Sequence, residues 1–215
     1  MLLALSRPST VGAILPSSRR LAETMARAAH GAQHIIELGA GTGAITAALR
    51  RHHPDVPLLA VELEPRLARQ LRERFPMVEV RAAAAHVVLR EAASLPGDTV
   101  LASSLPFRSL PPRLRLRSSV AIERFLTAQP GRRLVQYSYV PREPFPLRPH
   151  SPLRWRRLAA VWGNAPPAWV WELSAGSIRT IARRMMSAAD PWIGALMAAR
   201  SMNARSDGFF ELICG

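Results

Sequence analysis

The sequence predicts an α/β fold in which a sheet of parallel strands, with helices on both faces, is closed by an antiparallel C-terminal hairpin. Three observations carry this. Apolar runs of strand length recur at 34–38, 57–62, 78–81, 98–104 and 132–140, most of them separated by segments with helical spacing. The first run turns through Gly39, Gly41 and Gly43 directly into a helical segment, the strand–turn–helix unit that takes ligands at the carboxyl end of its strand. Finally, RLAAVW and AWVWEL flank a Gly-Asn-Ala-Pro-Pro turn with period-two apolar residues, a hairpin where another crossover would continue a dinucleotide-binding sheet.

The elements follow in order. Ser17 or Ser18 is placed to cap a helix running to about His30, with Leu21, Met25 and Ala28 inward and Gly31 ending it. After strand 34–38 and its glycine turn, a helix runs to about His52. Strand 57–62 leads to a helix opened by Pro65, with Leu67, Leu71 and Phe75 on one face. Nothing is assigned between the short strand 78–81 and strand 98–104. A helix starts after Pro112, strand 132–140 follows, and 141–157 reads as a proline-stiffened basic loop before the hairpin. Beyond it, Ile178, Ile181, Met185, Ala189, Trp192, Leu196 and Met197 keep helical spacing, with Asp190-Pro191 starting a second helix. The expected organisation is one domain over 1–174 and a helical extension over 175–215.

Composition narrows the function. All 29 basic residues are arginine and the formal net charge is +14. Either the composition merely favours arginine as the basic residue, or the chain seeks a polyanion, nucleic acid or an anionic membrane surface. Cys214 stands alone, so no internal disulfide forms, and no ligand cluster suggests a metal. MLLAL is too short for a signal peptide, and no apolar stretch approaches the ~20 residues of a membrane span. A cytoplasmic protein is expected.

The glycine turn poses a choice of cofactor, because Gly39, Gly41 and Ala44 also satisfy the dinucleotide pattern. Glu37 tips it. A carboxylate two residues before the first glycine repels a pyrophosphate but favours S-adenosylmethionine, whose sulfonium and ammonium are both cationic. Glu62, ending the second strand, is positioned for ribose hydroxyls under either reading.

ELGAGTG (37–43), VELEP (61–65) and SSLPF (103–107), in this order and spacing, resemble class I methyltransferases, near the branch holding rRNA adenine dimethylases and bacterial phospholipid N-methyltransferases. The segments 11–26, 103–112, 134–145 and 161–173 resemble the phospholipid enzymes specifically. The resemblance implies a Rossmann-like sheet of seven strands and stepwise methylation of phosphatidylethanolamine toward phosphatidylcholine. It implies a cofactor site of Glu37, Gly39, Gly41, Gly43, Glu62, Leu63, Ala83, Ala84 and Ser103. It further implies a phospholipid partner at an anionic membrane surface, peripheral association with the inner membrane and no stable nucleic-acid partner. The chain departs from the pattern where relatives carry an aspartate for the adenine amino group: here stand Ala82 and Ala83. That removes a hydrogen bond worth roughly 0.5–1.5 kcal/mol.

The acceptor side is read from SSLPF. Adenine-methylating enzymes usually offer Asn-Leu/Ile-Pro-Tyr/Phe, and Ser104 stands in the Asn position with Leu105, Pro106 and Phe107 after it. A hydroxyl is too short to reproduce the amide, which counts against a nucleobase, whereas an alkylamine needs only an aligned lone pair and an outlet for its proton. Tyr137 and Tyr139 alternate onto one face of their strand. They are either core residues or a partial aromatic box for a methylated ammonium, with Tyr139 alternatively relaying the proton. Arg142 leads the basic loop, where Arg148, Arg154, Arg156 and Arg157 also suit a headgroup phosphate. The competing functions are an rRNA adenine N6-dimethyltransferase-like enzyme, a methyltransferase for soluble amines, and a non-catalytic lipid- or RNA-binding relative.

Overall fold

The computed structural model describes residues 18–176. The described residues through Ala175 belong to one compact unit. The helical pair expected over 178–197 and the segment 11–17 lie outside the described residues.

Thirteen elements alternate: α1 Arg19–Ala28, β1 His34–Leu38, α2 Ala44–His52, β2 Leu58–Glu62, α3 Pro65–Arg74, β3 Glu79–Ala82, α4 Ala85–Glu91, a 3-10 turn Ala92–Ser94, β4 Thr99–Ser103, α5 Pro112–Ala128, β5 Arg133–Ser138, β6 Leu153–Val161 and β7 Ala168–Ala175. The seven strands form one sheet in the order β3-β2-β1-β4-β5-β7-β6. β1 to β5 pair in parallel, and β7 runs antiparallel to both β5 and β6. The α/β sheet closed by an antiparallel hairpin is as the sequence predicts.

Alternation along the central strands builds two cores. Ile35, Ala60, Ala102 and Val135 face α1 and α2, packing on Leu21, Met25 and Leu49. Ile36, Leu38, Leu101 and Leu134 face the opposite side, against Val88, Leu89, Ile122, Phe125 and Leu126 of α4 and α5. Ser18 caps α1, its hydroxyl accepting from the Leu21 N–H at 3.2 Å.

Two expectations need correction. The stretch left empty after β3 contains α4, whose alanines lack the wide apolar periodicity that announces a helix; Ala85, Val88 and Leu89 are nevertheless buried. The basic segment 141–157 is not all loop, because β6 begins at Leu153 and Arg154, Arg156 and Arg157 belong to it. Within the remaining loop Arg148 is committed: its backbone N–H and its guanidinium both meet the buried Glu123 carboxylate of α5, the guanidinium at 3.5 Å.

Arg132, just before β5, is only 1% exposed and has no acidic partner among the described residues. Its guanidinium donates to the carbonyls of Phe125 and Ala93 at 2.8 Å, also to that of Leu95, and lies over the Phe125 ring. It therefore pins the end of α5 to the turn before β4, at the amino ends of the strands.

Candidate active site

The carboxyl ends of β1, β2 and β4 meet around the glycine turn. Gly39, Gly41 and Gly43 all adopt positive φ, at 77°, 55° and 84°, which glycine tolerates best. Their roles differ. A Cβ on Gly43 would lie 2.5 Å from the Phe75 ring and 2.9 Å from Leu71, so this glycine lets α3 pack under the start of α2. A Cβ on Gly39 would meet the Leu105 side chain at 3.2 Å. Gly41 faces open space, with nothing within 4 Å. Of the three, it is the position past which a ligand has room to approach the backbone.

Glu62 braces that turn. Its carboxylate accepts from the Gly41 N–H at 2.7 Å and from the Glu64 N–H at 2.9 Å, which leaves lone pairs for further donors. Leu63 beside it is 40% exposed, an apolar surface next to the turn. Ala83 and Ala84 stand half-buried between β3 and α4, where the Ala83 N–H donates to the Glu62 carbonyl at 3.1 Å. Ser103 is fully buried at the end of β4, and its hydroxyl accepts from the Leu105 N–H at 3.3 Å.

Glu37 departs from the reading of an open carboxylate. Its neighbours across the sheet are Ala60 and Ala102, whose small side chains leave room for a carboxyl inside the α2-side core. It is 0% exposed. Oε2 accepts from the Thr46 hydroxyl at 2.6 Å, and Oε1 has no partner. Burial pushes its pKa up to about 8, against the Thr46 hydrogen bonds and with a smaller contribution from Glu62. In the ligand-free protein this acid is thus mostly neutral near pH 7. A cation brought to the turn would favour its ionised form.

The acceptor motif lies directly against this turn. The Ser104 N–H donates to the Leu38 carbonyl at 2.9 Å, and Ser104, Leu105 and Pro106 are half-buried. Gln136 of β5, unremarked in the sequence, holds the loop in place. Its amide donates to the Leu105 carbonyl at 3.2 Å and the Tyr137 carbonyl at 2.9 Å, leaving a buried, partnerless Oε1. Only a register that puts a polar side chain beneath that loop reveals it, and the sequence does not carry the register.

The aromatic residues do not form one box. Tyr137 and Tyr139 make an edge contact with centroids 5.4 Å apart and belong to the α1-side core. Phe107 belongs to the opposite core, 3% exposed and 4.4 Å from the Phe145 ring. Its ring is therefore a packing surface, not an open face for a substrate. The Tyr139 hydroxyl is buried without a partner, and burial together with Tyr137 pushes its pKa up to about 12. It remains a hydroxyl at neutral pH. Arg142 is exposed in the loop after β5.

Among the described residues no cluster of three or more His, Cys, Asp or Glu is arranged to hold a metal. No helix there is long and apolar enough to cross a membrane. The residues present suit S-adenosylmethionine: an open backbone at Gly41, the Glu62 carboxylate, an exposed Leu63 and the partnerless oxygen of Glu37.

No protein-family model matches the chain. Over 70 residues it is 41% identical to an ornithine lipid N-methyltransferase of Singulisphaera acidiphila, a match covering 31% of this chain and 36% of that one. The chain thus matches about a third of the length of that curated relative. Among solved structures it is similar to TrmN from Thermus thermophilus, with a TM-score of 0.54 and 17% identity, covering 81% of this chain and 53% of that one. A TehB-like SAM-dependent methyltransferase from Corynebacterium glutamicum gives a TM-score of 0.51 at 17% identity, over 72% of this chain and 87% of that one. The fold is the Rossmann-like fold of class I methyltransferases.

Proposed function

We propose that the protein is an S-adenosylmethionine-dependent N-methyltransferase whose acceptor is the primary amine of a membrane lipid, of the phosphatidylethanolamine type and methylated toward phosphatidylcholine. The observation that carries this reading is the contact between the two motifs. SSLPF rests on the glycine turn through the Ser104–Leu38 hydrogen bond and the Gly39–Leu105 approach, with a serine where base-methylating enzymes carry asparagine. The similarity to an ornithine lipid N-methyltransferase supports a lipid amine as the acceptor class.

When bound, S-adenosylmethionine supplies an electrophilic methyl group. The chain's own contribution is to hold and to position. Glu62 keeps the turn closed and offers acceptors to hydroxyl groups; Gly41 leaves the approach open; Leu63 supplies an apolar surface. On the acceptor side, Gln136 fixes the carbonyl of Leu105, and Ser104, half-buried, offers the motif's hydroxyl. The amine must be neutral to attack, and burial near Ser104 favours its neutral form. In this reading the protein works in the cytoplasm, peripherally bound to an anionic membrane.

The test is incubation with S-adenosylmethionine labelled in its methyl group, separately with ethanolamine-lipid vesicles, a soluble alkylamine and rRNA. Label in the lipid is expected, and Ser104→Ala should slow its incorporation more than it weakens cofactor binding in a calorimetric titration. Label in RNA, or in the soluble amine alone, would replace the lipid reading. No binding of S-adenosylmethionine at all would point to a non-catalytic relative.

A further inference from the structure

The geometry points to the strand-carboxyl end of the molecule as a docking face for an anionic lipid bilayer, with Trp162 of the hairpin turn and Leu116 of α5 as its apolar anchors. This deepens the lipid-amine reading and rests on it for the choice of partner.

The placement follows from the topology. α1 runs antiparallel to β1, so its first residues, Arg19 and Arg20, lie at the carboxyl end of the strands; the Ser18 N–H donates to the Asn164 side chain of the hairpin turn at 3.2 Å. The hairpin turn is at that end too, because Trp169 at the start of β7 pairs with Ser138 at the end of β5. Here Trp162 is 73% exposed, touching Trp169 edge-on with centroids 6.1 Å apart. The Arg20 side chain lies across Gly163, so that a Cβ there would meet its guanidinium at 2.5 Å. At the same end, α5 begins directly after the acceptor loop, and Leu116 in its second turn is 64% exposed between the exposed Arg115 and Arg117.

Four large apolar residues are more than a third exposed among the described residues, and three of them, Leu63, Leu116 and Trp162, sit at this end. The fourth, Met77, sits between α3 and β3 at the opposite end. The charges agree with that placement. Arg19, Arg20, Arg113 and Arg115 make no ion pair among the described residues, while Glu64 and Glu143 are the exposed carboxylates opposing them at this end. An amphipathic tryptophan beside arginines suits the headgroup region, where the ring finds apolar depth and the guanidinium finds phosphate. The same orientation presents the acceptor loop to the headgroups.

The test is sedimentation of the full chain with phosphatidylcholine vesicles, with and without phosphatidylglycerol, at low and high salt. Binding to the anionic vesicles is expected, weakening with salt. Trp162→Ala should cut the partition coefficient roughly tenfold or more, from the area of one large side chain. Arg19→Glu with Arg20→Glu should cut it at least fivefold per arginine. Met77→Ser should leave it unchanged. As a direct readout, brominated lipid should quench tryptophan emission of the intact protein, and Trp162→Phe should abolish most of that quenching. Equal binding by the Trp162, Leu116→Ser and Met77 variants, or quenching that survives Trp162→Phe, would overturn this face. Failure of the wild type to bind anionic vesicles while it binds RNA would overturn the lipid partner. Intact docking on these vesicles, with no label transferred to ethanolamine-lipid vesicles in the methylation assay, would leave the face standing and remove the lipid-amine function alone.

Discussion

Replacing Glu37 by glutamine isolates the cost of its buried acid. The unfolded chain ionises this group at its ordinary pKa of 4.5, whereas the folded chain does so only near 8. Below the lower value both states are protonated and the group contributes nothing to pH dependence. Between the two values the folded state holds the extra proton, so stability falls as pH rises, by about 1.4 kcal/mol for each pH unit. Above the upper value the loss is complete, on the order of 5 kcal/mol if the whole gap is expressed. Glutamine cannot ionise, yet its carbonyl still accepts from the Thr46 hydroxyl and its volume suits the space beside Ala60 and Ala102. Urea denaturation of both proteins across the range from about pH 5 to about pH 8 should therefore show the glutamine variant gaining on the wild type by several kcal/mol as pH rises. A difference that stays constant over the range would refute the buried-acid argument. The same logic gives a binding signature: S-adenosylmethionine should release protons on binding the wild type near neutral pH, and S-adenosylhomocysteine, lacking the sulfonium charge, fewer. Calorimetry in buffers of different ionisation enthalpy reads this directly.

Four further outcomes follow from the structure. Gly43→Ala should lose about 2–4 kcal/mol on denaturation, from a left-handed φ and a clash with Phe75 and Leu71. Gly41→Ala carries only the conformational cost, about 1 kcal/mol, and should instead weaken S-adenosylmethionine binding. Arg132→Met should cost about 2–4 kcal/mol, because it strips the carbonyls of Phe125, Ala93 and Leu95 of their donor; a thermal melt unchanged from wild type would show that water replaces it. Ala83→Asp should tighten S-adenosylmethionine binding about two- to tenfold by supplying an acceptor beside Ala84; an unchanged titration would place the adenine elsewhere.

The parallel strands were legible because each is a short apolar run bounded by glycine, proline or polar residues, and the hairpin turn because it carries Gly, Asn and two prolines; the arginine-rich first half of β6 was not. α4 was not, since an alanine-rich start offers no periodicity and only the packing of Val88 and Leu89 against α5 makes it a helix. At the site, the positions of Gly39, Glu62 and Ser104 follow from their place at strand ends. Whether a side chain there is open or buried does not. Glu37 is buried because of the two alanines beside it on neighbouring strands, and Phe107 because Phe145 folds back from a loop nearly forty residues later. The bracing role of Gln136 and the commitment of Arg148 to Glu123 depend equally on partners distant in sequence.

The strand order leaves β6 with a neighbour on one side only among the described residues, and it is nine residues long. An exposed row of backbone donors and acceptors of that length is a template for pairing with another chain. Its sequence discourages this: Arg154, Arg156 and Arg157 crowd the strand with positive charge, and the register breaks between Arg157 and Ala159, a bulge that twists the edge out of line. Arg156 is also tied to Glu172 of β7 at 3.0 Å, drawing one of these charges back over its own sheet. Arginines first read as candidates for a headgroup phosphate thus also work against edge-to-edge pairing of this strand. A Thr or Val at those three positions would leave the bulge as the strand's main protection, and the cost would appear as precipitation at high concentration before it appeared in any assay of the site.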